Sequence, residues 1–198
     1  MKVRITFIEE LLGTASGDPE IHNEFIASKA PNAPSREEEI ATIGVDAEIE
    51  KSKTVFSRNK EGKPILWDYQ IKGFFKDACS MLYRVKGTKS SDLKAYKKTI
   101  DGLIFPGPRQ IELFAPDGFD VPGTCQRPLR AQTAQGERIA LACSETMPAG
   151  TACVVDIVLM DTKYNELVVE WLNYGKLRGI GQWRNSGKGR FWWEEVRS

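Results

Sequence analysis

The chain has 198 residues, of which 41% are hydrophobic and 28% are charged, and its formal net charge is +1. These values are typical of a globular domain that can bury a core without covalent staples, and they exclude a polycation. Any affinity for nucleic acid must therefore come from a local patch of positive charge.

Neither a secretion signal nor a membrane span is evident in the sequence. The N-terminal segment MKVRITFIEELLG carries charges inside its first apolar run, and it lacks the apolar core and the cleavage site of a signal peptide. No apolar run approaches the ~20 residues that cross a bilayer. We therefore expect a cytoplasmic protein with no membrane partner.

The cysteine and histidine content argues against a structural zinc site. The four cysteines form no CxxC pair and the chain has one histidine, whereas such a site needs four nitrogen or sulfur ligands, usually in close pairs. We expect four reduced, mostly buried thiols and neither a resident metal nor a cofactor.

The first predicted element is a half-buried strand at residues 2–8, where apolar and polar residues alternate. The following stretch, residues 10–65, is rich in Gly, Ser, Pro and Asn, which predicts a long loop insertion. Within it, residues 21–26 could form a short helix, and Ser35 could cap another. A hairpin is expected to turn at Asn59–Gly62.

Two helices are predicted in the middle of the chain. Apolar residues recur at helical spacing on one face over residues 67–85, which indicates an amphipathic helix. A second, basic helix is predicted from Ser91 to Ile100, because Ser or Asp can cap its start and Gly102 can end it.

Strands predominate in the second half of the chain. Apolar segments between Pro and Gly turns predict strands at LIF, RQIELF, RIALA and ACVVDIVLM. The two middle strands of the fold are assigned to residues 103–114 and 152–160, with an insertion at residues 115–150 between them. A further helix is expected at residues 165–174, and an aromatic strand at residues 190–196 completes the pattern.

The order of these elements is strand, helix, two strands, helix and strand. It predicts an α+β fold, a ferredoxin-like or RRM-like βαββαβ antiparallel sheet backed by helices. We expect one domain over residues 1–198, with insertions at about 10–65 and 115–150 that protrude from the core.

The most unusual stretch is NYGKLRGIGQWRNSGKGRF, residues 173–191, which contains five glycines, five basic residues and no acid. It is not a nucleotide P-loop: GQWRNSGK has one residue too many between its glycines, and Gly189 stands where Ser or Thr should follow the lysine. The Rossmann spacing of glycines is also missing.

Two interpretations of this stretch remain open. The glycines could form a tight connector that surface cations keep soluble. Alternatively, glycine lets backbone N–H groups approach phosphates, basic side chains neutralise them, and Trp183 can stack on a base. Under the second interpretation the candidate phosphate ligands are Lys176, Arg178, Arg184, Lys188 and Arg190.

Three stretches resemble the RAMP superfamily of repeat-associated CRISPR proteins, which includes guide-RNA backbone subunits and RNA-processing endoribonucleases. DYQIKGFFKDAC resembles that family's first-helix segment, in which a loop enters a helix through a Lys-Gly pair. SETMPAGTACVVDIVLMD is similar to the stretch leading into its central strand, and LNYGKLRGIGQWRNSGKGRF to its C-terminal glycine-rich loop. Together they cover well under half of the chain, and the loop is longer than in compact members.

The resemblance implies a single-stranded RNA partner, a guide RNA, together with other protein subunits or self-association. It places Lys72, Gly73 and Lys76 near the RNA path at the first helix. It also implies that glycines shape the loop while basic residues contact phosphate. The loop glycines are Gly179, Gly181, Gly187 and Gly189, and the phosphate contacts are Arg178, Arg184, Lys188 and Arg190.

Catalysis is expected to be absent, and two candidates are kept as an alternative. The resemblance to the endoribonucleases makes His22 a candidate general base. The resemblance to backbone subunits that cut RNA with an aspartate in the loop after the first strand makes Asp18, with Glu20, a candidate Mg²⁺ site. A Mg²⁺ cofactor is implied only for such a weak metal-dependent endoribonuclease. A second alternative is a phage-borne interaction protein that targets a host defence complex through its loops.

Overall fold

The computed structural model describes residues 1–17, 53–117, 119, 122–133 and 136–196, without the side chains of residues 129–140. The predicted helices at residues 21–26 and after Ser35 lie outside the described residues, as do the catalytic candidates Asp18, Glu20 and His22. In the described part the strands are β1 (Lys2–Phe7), β2 (Leu11–Leu12), β3 (Ala15–Ser16), β4 (Thr54–Val55), β5 (Ser57–Arg58), β6 (Pro64–Trp67), β7 (Ile104–Gly107), β8 (Gln110–Glu112), β9 (Gly123–Thr133), β10 (Gly136–Met147), β11 (Ala152–Leu159) and β12 (Phe191–Glu195). The α-helices are α1 (Asp68–Leu82), α2 (Tyr96–Leu103) and α3 (Asn165–Arg178).

The central sheet is antiparallel and has the strand order β12, β1, β11, β7. Ile5 of β1 lies opposite Cys153 on one side and Trp193 on the other. The alternation predicted for residues 2–8 is confirmed, because Val3, Ile5 and Phe7 are fully buried. This sheet with its helices confirms the α+β class.

Helices α1 and α3 supply the other half of the hydrophobic core. The buried side of α1 contains Ile71, Phe74 and Phe75, as the helical spacing predicts, and that of α3 includes Trp171 and Leu172. In chain order, the central strands and these two helices are β1, α1, β7, β11, α3 and β12. The first helix is shorter than predicted, since residues 83–85 follow its end.

Two further sheets contain strands from both predicted insertions, and β8 of one of them comes from residues 103–114. One has the order β2, β10, β4, β3 with β9 paired to β10, and the other has the order β5, β6, β8. The strand predicted at RIALA is confirmed, since residues 138–142 lie within β10. The expected turn at Asn59–Gly62 is confirmed, because it joins the antiparallel β5 and β6. The expectation of one strand over residues 103–114 is wrong: β7 belongs to the central sheet and β8 to the three-stranded sheet.

The predicted basic helix at residues 91–100 is also displaced. A short 3-10 turn covers Lys89–Asp92, and α2 begins after Ala95, whose φ of 51° is left-handed. The turn is held by Glu170, whose carboxylate accepts bonds from the backbone N–H groups of Lys89 and Ser90 at 2.7 and 3.0 Å. The buried Ser90 hydroxyl in turn accepts the indole N–H of Trp171 at 2.9 Å. Tertiary contacts therefore fix a segment that helix propensity alone places differently.

The thiols match the sequence-based expectation. All four cysteines are free; Cys79, Cys143 and Cys153 are buried, and burial raises the pKa of Cys153 to about 12. Across the described ranges no helix has the length and apolarity needed to cross a membrane.

Gly175 is required by the packing of α3 against β12. A Cβ atom at this position would overlap the ring of Phe191, which is fully buried and packs edge-on against Phe74 with centroids 5.2 Å apart. Because that ring has no space to move into, we expect Gly175→Ala to lower the free energy of unfolding by about 1–3 kcal/mol, measured by thermal or urea denaturation.

Gly73 provides a matched control for that substitution. It also lies inside a helix, but a Cβ atom there meets nothing within 4 Å. Gly73→Ala should therefore leave the unfolding free energy unchanged or raise it by about 0.5–1 kcal/mol, since alanine loses less backbone entropy than glycine. Equal melting temperatures for Gly175→Ala and the wild type would contradict the packing described.

Candidate nucleic-acid interface

The glycine-rich segment forms a closed loop whose two ends lie against each other. The Ile180 N–H donates to the Gly189 carbonyl at 2.9 Å, and the Gly189 N–H donates to the Glu10 carbonyl at 2.8 Å. Gly179 and Gly189 have φ values of 77° and 70°. A Cβ atom at Gly189 would overlap the Ile180 carbonyl, and one at Gly179 would lie 2.7 Å from the backbone nitrogen of Arg190. Glycine is therefore needed at both ends for the loop to close.

The boundary between helix and loop differs from the prediction. Helix α3 continues to Arg178, whereas the sequence predicted its end at residue 174. Lys176 and Arg178 are thus helical residues and do not belong to the loop. Lys176 is exposed and has no carboxylate partner in the described part of the chain.

Four of the predicted phosphate ligands form ion pairs with carboxylates from other parts of the chain. Arg178 Nε and Arg184 Nη1 both contact Asp77 Oδ2 on α1, at 2.8 and 2.7 Å. The Asp77 hydrogen bond raises the pKa of Arg178 above its usual range. The other two pairs are Lys188 Nζ with Glu10 Oε2 at 2.6 Å and Arg190 Nη2 with Glu9 Oε1 at 3.0 Å.

These pairs change the electrostatic picture of the loop. Three carboxylates face four cations, so the acid-free sequence stretch is largely neutralised in the fold. The paired side chains remain partly exposed, and such ion pairs typically contribute only about 0–1 kcal/mol. A phosphate could therefore compete with these carboxylates at modest cost.

A groove runs between α1 and the loop. It consists of two adjoining clefts of about 460 and 420 Å³ that share Gly181 and Arg184. We call it the loop groove. The first cleft is lined by Thr14, Tyr69, Gln70, Gly73, Phe74, Asp77, Ile180, Gly181 and Arg184. The second is lined by Arg178, Gly181, Gln182, Trp183, Arg184 and Asn185.

Each cleft contributes one exposed aromatic ring to the loop groove. Tyr69 is 55% exposed; its ring stacks on Trp67 with centroids 6.2 Å apart and planes at 11°, and the Arg109 guanidinium lies 5.6 Å from its centre. Trp183 is 41% exposed, and the guanidinium of Arg127 lies 4.9 Å from the centre of its ring. The sequence indicated Trp183 but not Tyr69, because a tyrosine beside the apolar stripe of an amphipathic helix is not distinctive.

Gln182 fixes the base of the second cleft. Its side-chain amide donates to the Gly13 carbonyl at 2.8 Å, and its carbonyl oxygen accepts from Arg127 Nη2 at 3.0 Å. The loop is thereby attached to the segment that follows β1 and to strand β9. These contacts of Gln182 hold the neighbouring Trp183 ring in place.

The predicted first-helix residues do not all reach the loop groove. Gly73 lines it, but Lys72 and Lys76 face α2, where Lys76 Nζ pairs with Asp101 Oδ1 at 2.6 Å and Lys72 Nζ donates to the Asp101 carbonyl at 3.2 Å. Lys72 also lies 4.7 Å from the centre of the Phe105 ring. Lys72 and Gly73 both lie within α1, inside the helix that the sequence predicts over residues 67–85.

The described ranges contain no group of three or more His, Cys, Asp or Glu side chains that could hold a metal ion.

The comparisons with known proteins bear on the fold. No protein-family model matches the sequence, and the search of curated proteins found no match. Among solved structures, the cryo-EM structure of the Type III-B Cmr-beta bound to cognate target RNA superimposes with a TM-score of 0.57 at 11% identity, covering 99% of this chain and 58% of that chain. Cmr6 from Pyrococcus furiosus gives a TM-score of 0.47 at 11% identity, over 97% of both chains, and Cmr4 gives 0.44 at 12% identity, over 99% of both.

The chain thus spans 58% of the length of the Cmr-beta chain that it matches. At 11% identity this similarity establishes the fold alone. The chain has a RAMP-like fold.

Proposed function

We propose that this chain is an RNA-binding protein that holds a single strand in the loop groove. The observation that carries the proposal is the presence of one exposed ring in each cleft, Tyr69 and Trp183, with Arg184 between them. Proteins that bind single-stranded nucleic acid combine a cationic groove with aromatic platforms on which bases stack.

Arg184 can contact a phosphate without leaving its present position. Only its Nη1 atom bonds Asp77, so Nε and Nη2 remain available on a guanidinium that offers five N–H donors. Arg178 is more fully engaged, since Nε and Nη2 both face Asp77 and Nη1 lies 3.4 Å from Asn185 Oδ1. Arg184 is therefore the primary phosphate ligand, and Arg178 keeps Asp77 in place.

Glycine at the groove wall favours close approach of a strand. Gly73 leaves open space on α1, although glycine inside a helix costs about 1 kcal/mol relative to alanine. No packing contact in the described structure requires its missing side chain. We interpret this position as room for a base or a sugar beside Tyr69.

The fold gives this proposal a biological setting. We interpret the order β12, β1, β11, β7, with α1 and α3 as crossover helices, as a ferredoxin-like βαββαβ unit. Together with the RAMP-like fold, this supports a cytoplasmic subunit of a CRISPR-type ribonucleoprotein whose RNA is a guide RNA and whose neighbours are other subunits or further copies. Binding would depend on backbone charge and stacking more than on base sequence.

A salt titration tests the proposal. Binding of fluorescent oligouridine should weaken steeply between about 50 and 200 mM NaCl, because each phosphate contact contributes about −0.7 to the slope of log K against log salt on single strands. Changing Arg178, Arg184, Lys188 and Arg190 together to Gln should make the slope shallower by up to about 3.

A charge-matched variant with Lys2, Arg4, Lys53 and Lys60 changed to Gln serves as the control, because none of these residues lines the loop groove. Circular dichroism checks that both variants are folded. RNA binding that does not change with salt concentration, or an unchanged slope of log K against log salt in the loop variant, would overturn the proposal. Salt-insensitive binding to a partner protein would instead favour a phage-borne interaction protein.

A further inference from the structure

A second concentration of positive charge lies outside the loop groove, in residues 84–98. This basic segment carries six basic residues and one acid, while the whole chain has a net charge of +1. Five of the cations are exposed and have no carboxylate partner among the residues that the structure describes: Arg84, Lys86, Lys94, Lys97 and Lys98. The sixth, Lys89, pairs with Glu166 at 2.7 Å.

The contrast with the glycine-rich loop is informative. There, four cations are matched by carboxylates within 3.0 Å, whereas the basic segment leaves its charges open to solvent. Like charges within about a Debye length of 10 Å repel one another. Lys97 and Lys98 also lie in the first turn of α2, where the helix dipole disfavours cations. The arrangement thus lowers stability in the isolated chain, and a bound polyanion would reverse that effect.

The basic segment begins at the C-terminal end of α1, the helix whose N-terminal half lines the loop groove. Tyr69, Gly73 and Asp77 line the first cleft and recur at intervals of four residues, which places them on one side of the helix. Helix α1 ends at Leu82, about 7.5 Å along the axis from Asp77 at 1.5 Å per residue, and Arg84 follows two residues later. An RNA strand that leaves the first cleft toward the C-terminal end of α1 therefore approaches this segment.

Aromatic rings accompany the cations here as well. Tyr83 is 49% exposed and adjoins Tyr96, with ring centroids 6.4 Å apart and planes at 32°. The pair lies where α1 ends and the basic segment begins. Proteins that bind single-stranded nucleic acid combine exposed aromatic rings with cations in this way.

We propose that the basic segment is a second binding surface for the phosphates of the strand that occupies the loop groove. This inference rests on the proposed function. It predicts that the footprint of the RNA extends along α1, from Tyr69 past Arg84 to Lys94, Lys97 and Lys98. The loop groove holds a few nucleotides, and the basic segment holds those that follow.

Oligonucleotides of different length distinguish binding at the loop groove from binding at the basic segment. Oligouridines of about 4 and about 20 nucleotides span the range of single-strand site sizes, and their binding can be measured by fluorescence anisotropy at about 100 mM NaCl. Changing Lys94, Lys97 and Lys98 together to Gln should weaken binding of the long oligonucleotide by about 10- to 100-fold and reduce its salt slope by about 2. Binding of the short one should be unchanged.

The charge-matched control changes Lys2, Arg4 and Lys60 to Gln, and it should leave both affinities near those of the wild type. Equal loss in the test and control variants would overturn the second surface, and so would an unchanged affinity for the long oligonucleotide. Failure of the proposed function looks different, because the wild type would then bind neither oligonucleotide in a salt-dependent manner. Thermal denaturation verifies that all of the variants are folded.

Discussion

Removing both exposed rings of the loop groove, in the double variant Tyr69→Ala/Trp183→Ala, is expected to abolish most of the binding of single-stranded RNA. Each base that stacks on an aromatic side chain contributes about 1–3 kcal/mol. The double variant should therefore lose about 2–6 kcal/mol, and each single variant about half of that. Fluorescence anisotropy with oligouridine measures these losses directly.

Ring-retaining variants separate stacking from structural damage. Trp183 supports the guanidinium of Arg127, whose Nε and Nη1 atoms are buried without a hydrogen-bond partner in the described structure. Loss of the ring could therefore disturb that neighbour, whereas Trp183→Phe and Tyr69→Phe keep an aromatic face and should retain most of the affinity. Phe114 is 51% exposed and lines neither cleft, so Phe114→Ala controls for loss of an exposed ring.

Two results would contradict the stacking role. One is an RNA affinity of the double alanine variant within about twofold of the wild type. The other is an equal loss in Phe114→Ala, because it would make the effect independent of the loop groove. A loss of RNA affinity in the phenylalanine variants as large as that in the alanine variants would assign the effect to hydrogen bonding by the phenol or the indole.

The elements that the sequence predicts well are those with a strong local period. Strand β1 alternates buried and exposed residues, and α1 carries a wide apolar stripe, so each pattern is compatible with one structure. The turn at Asn59 is specified by its own side chain, which accepts the backbone N–H groups of Glu61 and Lys63 at 3.0 and 2.9 Å.

The elements that the sequence misses depend on distant partners. Strand β9 includes Pro128 and few apolar residues, which disfavours a strand. Among the described residues it pairs only with β10 and so lies at a sheet edge, where proline is tolerated. The division of residues 103–114 between two sheets is likewise invisible locally. Both β7 and β8 are short, with four and three residues, and their neighbours decide which sheet each one joins.

The candidate site is predictable to the same extent. Glycines, cations and Trp183 lie in one contiguous stretch, and their composition indicates a special loop. The carboxylates that pair with the loop cannot be predicted in this way, because the two arginines reach Asp77 across 101 and 107 residues of sequence. Local charge counting therefore overstates how cationic the folded loop is.

Asp77 gives the sharpest distinction between a phosphate cradle and a plain connector. The carboxylate lines the first cleft, is 19% exposed and pairs with Arg178 and Arg184, of which Arg184 lines the same cleft. If RNA phosphate approaches Arg184, then Asp77 repels it, and a unit charge at about 4 Å in water is worth about 1 kcal/mol. Asp77→Asn should therefore strengthen RNA binding roughly fivefold, while Arg184→Gln should weaken it by a similar factor.

A loop that is only a structural connector cannot produce changes of opposite sign in RNA affinity for these two substitutions. If the Asp77 pairs with Arg178 and Arg184 only hold the loop to α1, both substitutions weaken that attachment, Arg184→Gln through one pair and Asp77→Asn through both. Both should then lower the unfolding free energy by about 0–1 kcal/mol for each exposed pair and shift RNA affinity in the same direction or not at all. Anisotropy titrations of the two variants, alongside urea denaturation, decide between these outcomes. Asp77→Asn that binds RNA no more tightly than the wild type, in a folded protein, would remove Arg184 as a phosphate ligand and leave the loop with a structural role.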